Sequence, residues 1–463
     1  MTDAAPRLAA LTETLLGSPP PVRIRAWDGS EAGPPGAPVL VVRHRRALRR
    51  MLWRPGELGM ARAWVAGELE VEGDLFDLLD RLAGLLWERD PAAVPGPPPA
   101  RPERRPERRP EPAAVARLRQ RAEAGRATLR TAADPAARAA VRELLTLAGP
   151  LPPPPPPPEE TVRRRSGKAH SRRRDRQAIS HHYDVGNAFY ELVLGPSMVY
   201  SCAYWQPGGT LEQAQHDKLD LVCRKLALSE GDRLLDVGCG WGSMALHAAR
   251  AYGARVTGIT LSREQAAYAR KRVAQEGLAD RVEIRVQDYR DVRERPYDAI
   301  SSIGMAEHVG TVRYRRYAET LFALLRPGGR LLNHQIARRP EPDESAYRID
   351  EFIDAYVFPD GELAPLGSTV GELERAGFEV RDVQALREHY GLTLRAWVAR
   401  LRENWPEAVR LTSPGRARVW LLYMAACALA FEHGRLGVNQ VLAVRTEDSG
   451  VSGLPPRPRV WRE

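Results

Sequence analysis

Cysteine is scarce in this 463-residue chain: Cys202, Cys223, Cys239 and Cys427 are its only four, and they are widely scattered. That scatter excludes a zinc-ligand pattern and a disulfide framework, and it fits a reduced compartment. Long apolar runs are also missing. A membrane-spanning helix needs ~20 apolar residues, and the most apolar window, 419–431, falls well short of that. The first sixteen residues carry Asp3 and Glu13 and no apolar stretch of signal-peptide type. The expectation is a cytoplasmic protein, soluble or peripherally associated with the inner face of the membrane. Acids do not match bases: 69 Lys and Arg face 59 Asp and Glu, a formal charge of +10. A balance of this sign implies an anionic partner, nucleic acid or an acidic membrane surface, and says nothing about fold.

The length admits two or three domains, and 43% hydrophobic residues suffice for a sizeable core. Residues 1–90 read as a small N-terminal α+β domain. Strand-like runs at 22–26 and 39–42 precede helical patterning through 47–53 and 58–69, and 74–87 carries Leu75, Leu78, Leu79, Leu82 and Leu86 at helical spacing. Residues 91–112 form a Pro/Arg-rich linker, because proline recurs too often for a helix or sheet interior. A helical segment follows at 113–148, with Asp134-Pro135 as an internal start signal. Residues 149–176 form a second linker, opened by the unbroken prolines 152–158, a stiff polyproline spacer.

That linker ends in Arg163, Arg164, Arg165, Lys168, Arg172, Arg173, Arg174 and Arg176. A charge run is usually a solvated face. Here it lies just upstream of the motifs described below, where each cation would contribute ~1 kcal/mol of attraction to an anionic bilayer. Nucleic acid would attract it equally. No aromatic residues interleave with the arginines as a single-strand stacking platform requires, which favours lipid and no nucleic acid.

From Gln177 to Arg445 strand and helix patterns alternate, as a doubly wound α/β domain requires, and 446–463 reads as a tail. Strands are expected at 233–237, 255–260, 282–287, 299–303 and 330–335. Helices are expected at 262–276 and 312–325, the second ended by Arg326-Pro327-Gly328-Gly329. The first strand runs into Asp236-Val237-Gly238-Cys239-Gly240-Trp241-Gly242, a tight turn that lets a nucleotide-like ligand approach the backbone and the free N–H groups of the next helix. A dinucleotide fingerprint would need a third glycine where Ser243 stands. The loop alone leaves a methyl donor and a dinucleotide about equally open, with a bland strand-turn-helix behind them.

Further motifs follow in order: His181-His182-Tyr183-Asp184-Val185-Gly186-Asn187, Tyr200-Ser201-Cys202-Ala203-Tyr204-Trp205, Gly258-Ile259-Thr260-Leu261-Ser262, Gln287-Asp288-Tyr289-Arg290-Asp291 and Glu307-His308-Val309-Gly310. With the glycine loop, this series resembles the cyclopropane-fatty-acyl-phospholipid synthase family, which includes the mycolic acid cyclopropane synthases and related methyl- and methylene-lipid synthases. The likeness spans about 177–445, and the region before it matches weakly.

The resemblance implies a class I methyltransferase fold, a Rossmann-like doubly wound sheet. It implies transfer of a one-carbon unit from S-adenosylmethionine to the double bond of an unsaturated acyl chain in a phospholipid, through a carbocation that bound bicarbonate deprotonates. A homodimer is compatible with it. The bicarbonate positions would be Cys202, Glu307, His334, Ile336 and Tyr390: a glutamate to accept from the anion, tyrosine and histidine to donate, and two backbone N–H groups. Cofactor contacts would be Tyr183, Ser201, Asp236, Gly238, Gly240, Gly242, Thr260, Leu261, Gln265, Gln287 and Asp288, with Gln265 toward the ribose and Asp288 toward the adenine amine. By itself Cys202 reads as a small buried hydrophobe and His334 as a structural strand residue; only their joint occurrence reverses that. Tyr204, Trp205, Tyr317 and Tyr423 are aromatic candidates for the cation wall and equally ordinary core.

Ala306, where the family often has phenylalanine, leaves the product open between a cyclopropane and a methylene or methyl branch. A nucleic-acid methyltransferase and a non-catalytic anionic-surface binder are the competing functions.

Overall fold

A computed structural model describes residues 3–87, 135–149, 152–160, 174, 185–294, 296–344 and 347–455. The chain divides into two compact units, Met1–Pro158 and Glu159–Glu463.

The first unit opens with helix α1 (Ala4–Leu16) and a sheet of four short strands, β1 (Arg23–Arg25), β2 (Glu31–Ala32), β3 (Val39–Val42) and β4 (Leu69–Glu72), in the order β2-β1-β3-β4. Helices α2 (Arg46–Trp53), α3 (Glu57–Val65), α4 (Leu75–Trp87) and α5 (Pro135–Ala148) complete it. The helical reading of 58–69 was too long. Helix α3 stops at Val65, and Leu69 begins β4, antiparallel to β3, because the alternating Leu69-Glu70-Val71-Glu72 suits a strand with one buried face. The proline run is also no free spacer: Pro157 is buried, and Arg50 donates to the carbonyl of Pro155 at 2.7 Å. The same guanidinium is paired with buried Glu68 at 2.9 Å, so a charge-assisted hydrogen-bond network holds the strap.

The second unit is built on one sheet. Its elements are α6 (Asn187–Leu194), α7 (Leu211–Leu226), β5 (Arg233–Val237), α8 (Ser243–Tyr252), β6 (Arg255–Thr260), α9 (Arg263–Gln275), β7 (Val282–Val286), β8 (Tyr297–Ile303), α10 (Ala306–Val309), α11 (Thr311–Leu324), β9 (Leu325–Arg338), α12 (Glu351–Tyr356), β10 (Ala364–Pro365), α13 (Leu366–Arg375), β11 (Glu379–Ala385), α14 (Arg387–Glu403), α15 (Trp405–Leu411), α16 (Pro414–Glu432) and β12 (Leu436–Val444). Strand order is β11-β12-β9-β8-β5-β6-β7, with β10 beside β9. The pairs among β7, β6, β5, β8 and β9 are parallel, while β12 runs antiparallel to β9 and to β11. The chain leaves β5 through β6 and β7 on one side and returns to β8 and β9 on the other. Ligands of doubly wound sheets bind at such a switch point, beyond the carboxyl ends of the strands.

Each face of the sheet carries its own core. Leu332 and Leu442 pack with Leu219, Val222 and Leu226 of α7 and with Met244 and Leu246 of α8. Leu331 and Val441 pack on the other face with Tyr317 and Leu321 of α11 and Leu373 of α13. This two-residue alternation along β9 sets His334 and Ile336 on the α7 face with Leu332. The expected stop at Arg326-Pro327-Gly328-Gly329 instead lies within β9, as an irregularity between the pairs Tyr297/Leu325 and Ala299/Arg330. Gly328, at φ +77°, makes that bulge, and its N–H bonds the Arg445 carbonyl. Helix α16 is buried over most of its 19 residues against α14. Among the described residues, no helix is long and apolar enough to cross a membrane.

Candidate active site

The turn after β5 is cut for a ligand. Gly238, Gly240 and Gly242 all have positive φ, at +78°, +53° and +84°. A Cβ on Gly238 would lie 2.4 Å from the sulfur of Met305, and one on Gly242 would lie 3.0 Å from the Ala269 Cβ. A Cβ on Gly240 would meet nothing within 4 Å, so its backbone faces open space at the head of α8. The N–H groups of Gly238 and Cys239 are fastened to the Ile259 carbonyl at 2.9 and 3.0 Å, which ties the turn to the end of β6.

Asp236 is 2% exposed, accepts from Ser301 at 2.7 Å through Oδ1, and leaves Oδ2 without a partner. Burial raises its carboxyl to about 6. A free, desolvated carboxylate oxygen beside an open glycine turn fits a ligand with a cationic amino-acid end, so the residues present suit S-adenosylmethionine.

The rest of the expected cofactor set divides. Ser201 accepts from buried Lys218 at 3.0 Å. Thr260 is buried at the end of β6, and its hydroxyl donates to Gln265 Oε1 at 2.9 Å, so that oxygen is already engaged within the protein. Leu261 is half-buried beside it. Gln287 bonds the Thr260 carbonyl through its N–H and the Asp291 carbonyl through its side chain, at 3.1 and 3.0 Å. Asp288 is held by Arg290, two residues on, which donates to both of its oxygens at 2.7 and 2.6 Å. Tyr183 lies outside the described residues, as do His181, His182 and Asp184.

Contacts made largely through the backbone link four of the five residues expected to hold a small anion, Cys202, Tyr390, Ile336 and Glu307. The Leu386 carbonyl accepts from the Cys202 thiol at 3.6 Å and from the Tyr390 N–H at 3.2 Å. The Leu386 N–H bonds the Val438 carbonyl at 2.8 Å, and Val438 pairs with Ile336 across β12 and β9. Ile336 donates its N–H to Glu307 Oε1 at 2.8 Å, and His334 lies two residues back on the same face. One detail departs from expectation. The Ile336 N–H is already taken by Glu307, because the short helix α10 aims this carboxylate at the strand end.

Desolvation dominates the electrostatics here. Burial raises Glu307 to about 7, and its Oε2 has no partner. His334, 2% exposed, is pushed down to about 3 by burial and by the nearby lysines Lys218 and Lys225, so it is neutral at physiological pH. Neither of its ring nitrogens finds a partner, and nor does either polar atom of Gln440, the fully buried residue directly opposite on β12. Burial also raises the Cys202 thiol, which donates to the Ala203 carbonyl at 3.2 Å and is no nucleophile. The orphaned donors and acceptors of Glu307, His334 and Gln440 suit a small oxyanion or water with several hydrogen-bonding atoms.

Tyr390 also belongs to a cluster of buried aromatic rings. Tyr200 stands 5.5 Å from Trp397 and 5.9 Å from Trp420, Tyr190 lies 4.7 Å from Trp241, and Tyr390 lies 4.7 Å from Phe431. Of the four rings expected from sequence, Tyr423 joins this wall, 5.8 Å from Trp420. The others do not. Tyr204 stacks on His389, Trp205 donates to Thr393, and Tyr317 bonds Ser302 under Tyr289.

Lys218 and Gln440 escaped the sequence reading. Lys218 and Lys225 interrupt the apolar stripe of α7 at seven-residue spacing, and a charge inside a buried stripe is a readable anomaly. Gln440 carries no such mark.

This geometry has close counterparts. Residues 170–441 match the mycolic acid cyclopropane synthetase family. A probable fatty acid methyltransferase of Mycobacterium tuberculosis is 41% identical over 95% of this chain and 94% of its own length. The chain belongs to the mycolic acid cyclopropane synthetase family. A cyclopropane-fatty-acyl-phospholipid synthase of Escherichia coli is 38% identical over 58% of this chain and 68% of its own. A mycolic acid cyclopropane synthase solved with SAH and CTAB superposes with a TM-score of 0.55 at 34% identity, covering 58% of this chain and 97% of that one. The second unit is thus a class I methyltransferase, and the enzyme is an S-adenosylmethionine-dependent lipid methyltransferase of the cyclopropane synthetase family. Membership of an S-adenosylmethionine-dependent family removes the dinucleotide alternative that the loop had left open.

Proposed function

We propose that this enzyme transfers a one-carbon unit from S-adenosylmethionine to the double bond of an unsaturated acyl chain esterified in a phospholipid, giving a cyclopropane. The observation that supports the reading is the desolvated Glu307 carboxylate, which accepts from the Ile336 N–H two residues along β9 from the neutral imidazole of His334.

An alkene is a weak nucleophile, so the chain must hold it close to the donor methyl and keep water out; the buried aromatic wall of Tyr200, Trp397, Trp420 and Tyr423 supports both. Methyl transfer breaks the sulfur–carbon bond, forms a carbon–carbon bond and leaves a carbocation on the acyl chain, which ring faces stabilise. A proton must then leave that chain. Bound bicarbonate would supply the base. Glu307 Oε2 would accept from it, and His334 and Tyr390 would donate to it.

Incubation of the enzyme with methyl-labelled donor, bicarbonate and unsaturated phospholipid vesicles is expected to put label into acyl chains; label absent from lipid would refute the reading. A second outcome, a methylene or methyl branch, is favoured by the small Ala306 next to Glu307 and by the 41%-identical relative, a probable fatty acid methyltransferase. Fragmentation of derivatised products separates the two.

The anionic bilayer is the proposed partner of the arginine segment. That segment lies outside the described residues except for Arg174, which is paired with Asp360 and 16% exposed, and so does not belong to a free basic face.

A further inference from the structure

Helix α7 lays a buried lysine over the sheet face that carries the site. Leu234 of β5 and Ala299 of β8 pack in the core beneath α7 and α8, while Leu235, Val237 and Ile300 belong to the core on the other face. Strand alternation therefore turns Asp236 and Ser301, directly paired across β5 and β8, to the α7 face, which His334 also occupies. Lys218 of α7, 2% exposed, stands within electrostatic range of Asp236, Cys202 and His334.

The two buried lysines of this helix have different surroundings. Lys225, seven residues on, meets Asp382 of β11 at 3.2 Å. Lys218 has no such acid: among the described residues its hydrogen bond goes to the Ser201 hydroxyl at 3.0 Å, and no carboxylate stands within ion-pair distance of it. An ammonium only donates, so Ser201 accepts from it and keeps its own hydroxyl proton to offer. A buried ammonium without an ion-pair partner weakens the fold, and an apolar side chain of similar length would fill the same space. What Lys218 does face is Asp236, whose Oδ2 has no partner among the described residues. Burial drives both groups toward their neutral forms, Asp236 up and Lys218 down, and the charge of each opposes the shift of the other.

We propose that Lys218 is a positioning residue for the methyl donor: its charge keeps Asp236 ionised in a dry site, so that this carboxylate can hold the donor's ammonium group. The proposal rests on Asp236 meeting the amino-acid end of the donor, and it gives a reason for a buried charge that the fold alone would do better without.

Calorimetric binding of S-adenosylhomocysteine, which shares that amino-acid end, tests it between about pH 5 and about pH 7.5, where Lys218 keeps its proton. In the wild type, affinity should fall as pH drops through about 6 and Asp236 takes up a proton. In Lys218→Met and in Lys218→Gln that midpoint should rise by about one pH unit or more, the scale of losing one opposite charge at close range. The thermal midpoint of Lys218→Met should be no lower than that of the wild type. Glutamine keeps a donor for Ser201, so the pair of variants separates the charge from the hydrogen bond. Cys202, Cys223, Cys239 and Tyr317, the other ionisable groups near the pair, are raised by burial and stay protonated over this range, and His334 stays neutral. Glu307 titrates at about 7, so the comparison is repeated in an Asp236→Asn background, where Lys218→Met should bring no shift. A wild-type midpoint in Lys218→Met, a wild-type midpoint in Lys218→Gln, or an equal shift in the Asp236→Asn background would overturn the proposal. An Asp236→Asn variant that binds as tightly as the wild type at every pH would instead overturn the assignment of Asp236 to the donor on which it rests.

Discussion

Replacing Glu307 by glutamine separates what this residue does for the reaction from what it costs the fold. The residue is half-buried with its Oε2 shielded from solvent, it has one hydrogen bond from Ile336, and its carboxyl is raised from a usual 4.5 to about 7 chiefly by desolvation. For an acid with a raised folded-state pKa, the folded protein holds the proton more tightly than the unfolded chain. The wild type therefore carries no penalty from this group below pH 4.5, and loses stability as pH rises through about 7. At about 1.4 kcal/mol per pH unit, the full penalty is ~3 kcal/mol above pH 7. Glu307→Gln keeps the shape and the Ile336 contact and removes the charge. It should stabilise the protein by up to ~3 kcal/mol at pH 8 and by nearly nothing at pH 4.5, while turnover falls by ~100-fold or more and donor binding persists. Urea unfolding at both pH values in bicarbonate-free buffer, with calorimetry of donor binding and a label-transfer assay, measures all three. A stability difference that does not change with pH would refute the desolvation argument, and wild-type turnover would refute the role at the anion.

Three further outcomes follow from the same geometry. Gly240→Val should abolish calorimetric donor binding while lowering stability by only ~1–2 kcal/mol, the usual cost of a non-glycine residue at positive φ, because its side chain enters open space rather than protein. Lys218→Met should stabilise the fold by ~2 kcal/mol at pH 7 in thermal or urea unfolding. Its lysine is pushed down to about 8 by burial, so that penalty is present below pH 8 and fades as pH rises past 10.5, offset by the lost bond to Ser201; a gain that grows with pH would contradict this. Neutralising Arg163, Arg164, Arg165, Arg172 and Arg173 should weaken sedimentation with anionic vesicles most at low salt, and no change in binding would return the segment to a solvated face.

Much of the second unit was legible because its determinants are local. The apolar runs of β5 and β6 and the Ser262 cap, which accepts from the Gln265 N–H, give their own ranges. Strand β11 was not legible: it is a half-exposed edge strand carrying Asp382 and Gln384, and it becomes a strand by pairing with β12. Nor was the direction of Gln265 or the pairing of Arg174 with Asp360, 186 residues away, since tertiary packing alone decides such contacts. The grip of Arg290 on Asp288 is different, because two residues of separation make it readable in principle. Tyr390 entered the site by resemblance only, and it is the Leu386 carbonyl that joins it physically to Cys202.

The buried polar groups carry a consistent meaning when set against the rest of the unit. Surface acids here are commonly paired with arginine, as in Glu283 with Arg285 and Glu379 with Arg381. Asp236 and Glu307 are the reverse case: raised by desolvation, and each with one solvent-shielded oxygen that has no partner among the described residues. His334 and Gln440 repeat the pattern with neutral groups on directly paired strands. Each such group works against stability by roughly 1–3 kcal/mol, and apolar residues of similar shape would relieve that. Their clustering at the ends of β5, β8 and β9 is what a site needs when a cationic donor and a small anion must both be met by groups that are already oriented and dry. An ion pair between Glu307 and an arginine would have been the cheaper fold, and it would have left the anion nothing to bind.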